Sequence, residues 1–170
     1  MVRTADEALL KYVGFVAGAF TQLRPDFPTC CEGYVLDHGK LALSEELTAE
    51  EWRIVREAWG RASFPIKSCF WNAKKLSRRS GGLLVYHEGY ALGAVIPVLH
   101  AWCQIGDKVI DPTWRHHDQP ERSGPYRDRT MGLIPEDNAY LGVPFEESAW
   151  TTDGSLIDDW KHTWPLLRSS

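Results

Sequence analysis

This 170-residue chain is poor in several features that would assign a class directly. It has no uninterrupted apolar run of the about 20 residues that a membrane-spanning helix needs, which excludes a membrane span. The most apolar early stretch, Tyr12 to Phe20, is short and broken by glycines, and Asp6 and Glu7 precede it, so it does not read as a secretory leader. No repeat period or low-complexity tract is present, which excludes solenoid and disordered classes. Positive charge is not in excess: 19 Lys and Arg stand against 23 Asp and Glu, for a net charge of -4. A general nucleic-acid binder would show a basic face, so none is expected as a partner. The one dense basic run, Lys74-Lys75 with Arg78-Arg79, suits the end of a helix and a solvated face. Cysteine is sparse. Cys30, Cys31, Cys69 and Cys103 form neither a disulfide framework nor a CxxC zinc spacing, which points to a reducing, cytoplasmic setting. Neither a P-loop nor a GxGxxG occurs, so no organic cofactor is expected.

What remains is a globular composition, 44% hydrophobic and 25% charged, of a length that fits one domain. We divide it into a helical part of about residues 1–62, a core of about 63–114 and an irregular part of about 115–170. Thr4 and Glu7 form a capping box for a first helix, with Leu9, Leu10, Val13, Val16, Ala17 and Phe20 as its apolar stripe up to about Leu23. Tyr34-Val35-Leu36 reads as a short strand closed by Asp37-His38-Gly39. Thr48 and Glu51 open a second helix that ends near Gly60. Ser68 is placed as the N-cap of a third, with Phe70, Ala73 and Leu76 inward and Gly81-Gly82 as its stop. Strands follow over Leu83 to Leu92, Pro97 to Ile105 and Lys108 to Thr113. Tyr140 to Pro144 reads as an extended piece and Leu156 to Trp164 as a short helix. The expected class is α+β: helices packed on a small antiparallel sheet built from Leu83 onward.

Three side chains in the core carry chemistry. A cysteine is a good nucleophile only as thiolate, and the free N–H groups and positive dipole end of a helix start favour that form. Cys69 occupies such a start. If Gly106-Asp107 is a two-residue turn, Ile105 pairs with Lys108, and His100 and Asp111 become diagonal neighbours on one sheet face. A three-residue turn would put them on opposite faces. Singly, each has a plain reading: a small buried thiol, a satisfied core histidine, a turn aspartate before Pro112. Jointly, the helix-borne thiol, the imidazole and the carboxylate match what thiol-based acyl transfer requires.

The order Cys69, then Glu88-Gly89-Tyr90-Ala91, then His100-Ala101-Trp102, then Asp111-Pro112-Thr113 resembles the transglutaminase-like branch of the papain-like cysteine enzymes. The likeness covers residues 66 to 114. It implies a transglutaminase-like core with Cys69 as nucleophile, His100 as base and then acid, and Asp111 as orienting carboxylate. The implied substrate is a peptide, a protein or a small amide. One departure is that Lys67-Ser68 precede the cysteine, where the family pattern has glycine and a small or aromatic residue.

Other residues near the core are open to more than one reading. Glu88 is either a substrate contact, the partner of an arginine, or an outward charge on a half-exposed strand. Gly89, inside a strand, marks a bulge or a close backbone approach, beside the substrate in the enzyme reading. Trp102 either walls the site or packs in the core. The first oxyanion donor is the Cys69 backbone N–H, and Gln22 or Trp102 are candidates for the second. Adjacent His116 and His117 with Asp118 lack a spaced partner, so no metal site is assigned. Cys103 alternates away from His100 and reads as core. The competing class is a non-catalytic protein-binding module on the same fold.

Overall fold

The structure is a computed structural model that describes residues 3–26, 29–93, 95–114 and 131–158. Helix α1 (Thr4–Leu23) is capped by Arg3 rather than Thr4. The Arg3 backbone N–H donates to Asp6 Oδ2 at 3.2 Å while its guanidinium closes on the same carboxylate at 2.6 Å. A carboxylate that both caps the backbone and finds a cation displaces the expected Thr4–Glu7 box. Leu9 and Val13 are fully buried, whereas Phe15 and Leu23 are exposed. The segment expected as a strand is instead helix α2 (Cys31–His38). The Gly33 N–H donates to the Cys30 sulfur at its start, and the Tyr90 hydroxyl donates to Glu32 at 2.7 Å. An apolar trio suits either period, and here the cap and the tertiary contact decide.

Helix α3 (Ala49–Trp59) carries the expected reciprocal Thr48–Glu51 box and stops at Gly60, whose φ is 50°. Helix α4 (Cys69–Arg79) begins at the cysteine, with Ser68 at the cap position but making no side-chain cap bond. Gly81 and Gly82, at φ 64° and 84°, end it in the left-handed region that glycine favours. The basic run is not a solvated face throughout. Lys74 is buried and donates to the Thr152 and Gly154 carbonyls at 2.7 and 2.6 Å.

Strands β1 (Lys40–Leu41), β2 (Val85–Leu92), β3 (Pro97–Ile105), β4 (Lys108–Ile110) and β5 (Ala139–Pro144) form one antiparallel sheet in the order β1-β5-β2-β3-β4. The architecture is therefore α+β. The turn is the two-residue one: Ile105 faces Lys108 and Gln104 faces Val109. Gly106 sits at φ 58°, the value such a hairpin requires. β5 takes a central place between β1 and β2. Tyr86, Ala101 and Cys103 face α3 and α4, while Tyr90, Leu141 and Val143 face α1 and α2. Residues 156–158 are turn rather than helix, and the remainder of that expected helix lies outside the described residues, as do His116, His117 and Asp118. No helix among the described residues is long and apolar enough to cross a membrane.

Candidate active site

The hairpin register brings His100 and Asp111 together. With Asp111 as carboxylate, the His100 Nε2–H donates to its Oδ2 at 2.7 Å. Both residues are buried, at 3% and 0% exposure. Asp111 does not hang on this one bond. Its Oδ1 accepts the backbone N–H groups of Thr113 and Trp114 at 2.8 and 3.0 Å, and the Tyr140 hydroxyl donates to Oδ2 at 3.0 Å. Burial pushes the carboxyl up, but the His100 charge and these donors outweigh it and hold Asp111 below the usual range. Burial by itself pushes the imidazole down. The Asp111 carboxylate, by charge and by hydrogen bond, overrides that and raises His100 to about 9, with the Cys69 side chain acting in the same direction. His100 is thus a cation at neutral pH, with Nε2 committed to Asp111 and Nδ1 left for another partner.

Aromatic rings fix this imidazole. Trp114 stacks on it with centroids 4.5 Å apart, and Trp102 and Tyr140 lie at 6.4 and 6.3 Å. Trp102 is fully buried, so it both walls the site and packs in the core. Its indole Nε1 is buried with no hydrogen-bond partner among the described residues. Gln22, the other donor candidate, is exposed on the last turn of α1. Gly93 passes against the Trp114 ring, where an added Cβ would come within 3.3 Å of it. Tyr140 carries no sequence signal of a site residue. A tyrosine in an extended piece looks like any core aromatic, and only the β2–β5 pairing carries it under Asp111.

Cys69 stands partly buried at the first position of α4, and its first turn comes alongside the imidazole although α4 packs on the other sheet face. The other three thiols are also free. Cys103 is buried on the α4 side, where its thiol donates to the Ala73 carbonyl at 3.1 Å, and burial pushes it up. Cys31 is pushed up to about 12, also chiefly by burial.

Glu88 pairs with Ala101 across the ladder and so points to the face opposite His100. It is fully buried and meets no arginine among the described residues. Tyr86 Oη and Ser155 Oγ donate to it, as do the Leu156 and Ile157 N–H groups. With Lys74 it clasps the segment from Thr152 to Ile157 onto the sheet, so neither the outward charge nor the arginine partner describes it. Gly89 makes the close approach: a Cβ there would overlap the Leu141 carbonyl oxygen.

Fold and site together define an α+β protein in which one helix start, one strand and the segment after the next strand converge on a cysteine, a histidine and an aspartate. Compared with known proteins, the chain matches no family model, no curated protein and no solved structure.

Proposed function

We propose that the chain is a cysteine-dependent acyl-transfer enzyme acting on an amide or related bond of a peptide, a protein or a small molecule, in a transglutaminase-like arrangement. The observation that carries this is the buried His100–Asp111 pair, which keeps the imidazole charged beside Cys69. An imidazolium next to a sulfur is the partner that a thiolate nucleophile needs. Cys69 Sγ adds to the substrate carbonyl carbon, and the negative oxygen is received by the Cys69 N–H, which has no intrahelical acceptor at that position. His100 gives its proton to the departing amine as the C–N bond breaks, leaving a thioester. Water, losing a proton to His100, then attacks the thioester carbon, and breaking the C–S bond releases the acid and restores the thiolate beside the charged imidazole. An amine in place of water would give transamidation by the same steps, and we favour hydrolysis because water is always at hand.

Lys67 supports the reading. It stands where the resembled pattern carries glycine, and at φ 65° it is the one non-glycine residue in the left-handed region among those described. A side chain there costs about 1–2 kcal/mol. Lys67→Gly is therefore expected to raise stability by roughly 0.5–1 kcal/mol after glycine's own entropy cost, measured by urea denaturation.

A second reading, a protein-binding module without catalysis, draws on exposed apolar side chains such as Phe15, Leu23 and Val95. Iodoacetamide labelling at neutral pH separates the two. For an enzyme, Cys69 reacts in preference to Cys30, Cys31 and Cys103, and His100→Ala abolishes the preference. Equal labelling of all four would leave the binding module standing.

A further inference from the structure

We infer that Asn72 is a positioning residue for this chemistry, tying the loop that delivers Cys69 to the segment that carries Asp111. Asn72 lies one turn after Cys69 and is fully buried. Its Nδ2 donates to the Pro65 carbonyl at 2.7 Å and to Thr113 Oγ1 at 2.9 Å. A carbonyl oxygen only accepts, so the Pro65 bond fixes which way the amide points, and both Nδ2 hydrogens are used. Pro65 begins the turn that runs through left-handed Lys67 to the Ser68 cap and Cys69. Thr113 is the residue whose N–H holds Asp111 Oδ1. One side chain thus bridges the two halves of the constellation, which sit 42 residues apart at Cys69 and Asp111.

Stability alone is a poor reason for this residue. The Asn72 Oδ1 is buried with no hydrogen-bond partner among the described residues, a state in which a polar atom loses its water without replacement. An apolar side chain of similar volume would avoid that loss but would leave Pro65 and Thr113 unconnected. Productive geometry at a reacting centre is sensitive to displacements of an ångström, so a bridge of this kind bears on rate rather than only on folding.

The inference rests on the acyl-transfer reading, and its test is the pH profile of Cys69 alkylation by iodoacetamide, resolved by peptide mapping. The proteins are the wild type, Asn72→Ala, Thr113→Val, their double variant and Thr113→Ser. Asn72→Ala and Thr113→Val are each expected to slow Cys69 roughly tenfold at neutral pH and to move the profile to higher pH. The double variant is expected to be no slower than either single, since both remove the same bridge, and Thr113→Ser, which keeps the acceptor, to match the wild type. Additive single effects, or profiles that stay put while urea midpoints fall, would overturn the inference and leave Asn72 a folding residue. If Asn72→Ala does not fold, the two Thr113 variants decide by the same profile. A wild type with no preference for Cys69 removes the acyl-transfer reading and this inference together. A selective wild type with unmoved variants removes this inference alone.

Discussion

Asp111→Asn is expected to lower stability at neutral pH by roughly 2–4 kcal/mol and to cut neutral-pH reactivity of Cys69 at least about 100-fold. The asparagine keeps a carbonyl oxygen for the Thr113 and Trp114 N–H groups, so the loop holds. Its NH2 then faces the Tyr140 hydroxyl and His100 Nε2, which must now accept instead of donate. That places the imidazole proton on Nδ1 and removes the base from the side left for the thiol. Without its carboxylate the buried ring also has no reason to stay charged, and neutralising it limits the stability loss.

The pH dependence follows from the same pair. His100 is raised from 6.5 to about 9 in the folded protein, so its contribution is complete below pH 6.5 and disappears as pH climbs through 9. Asp111 is held below 3.8, so its contribution is complete above that value and disappears as pH falls through the lower one. The pair stabilises fully between pH 3.8 and 6.5, and on the order of 3 kcal/mol is lost on the alkaline side. Urea midpoints measured across pH 3–10 check this. A wild-type curve with no more alkaline decline than Asp111→Asn would show that the imidazole is not held as described.

Gly89→Ala is expected to cost roughly 3 kcal/mol or more, read as loss of folded protein or a large drop in the urea midpoint. Gly89 pairs with His100 on one side and Gly142 on the other, in the middle of the sheet. An added Cβ would overlap the Leu141 carbonyl oxygen and stand 2.5 Å from the Gly142 Cα. These are backbone atoms of a strand hydrogen-bonded along its length, so no side chain can swing aside and β5 itself must move. β5 carries Tyr140, which holds Asp111, so the strain reaches the constellation. At Gly142 a Cβ would overlap the Trp102 ring and lie 2.7 Å from the Glu88 carbonyl. Gly142 thus leaves the room that the Trp102 ring occupies beside His100.

Local chemistry was legible wherever one short signal had no rival. The Thr48–Glu51 box, the Gly81-Gly82 stop, the Gly106-Asp107 turn and the start of α4 at Cys69 all follow from residues within one turn of each other. Where two local signals compete, sequence reading fails. Asp6 won the α1 cap because Arg3 joins it, and Tyr34 to Leu36 became helix through a cap and a distant tyrosine. Lys74 and Glu88 escape a local reading for another reason. A charge is ordinarily solvated, and only the return of residues 152–157 over the sheet supplies the carbonyls and N–H groups that bury them.

The sequence by itself determined that, given a two-residue turn at Gly106-Asp107, His100 and Asp111 would lie on the same side of the hairpin, because side chains alternate along each strand and the turn fixes the register. Only the tertiary structure decided that His100, the Thr113 and Trp114 N–H groups and Tyr140 would all donate to Asp111, and that Asn72 would bridge Pro65 to Thr113. Those contacts join segments that no periodicity relates, because β5, last in the chain, enters the sheet between β1 and β2 rather than beside β4.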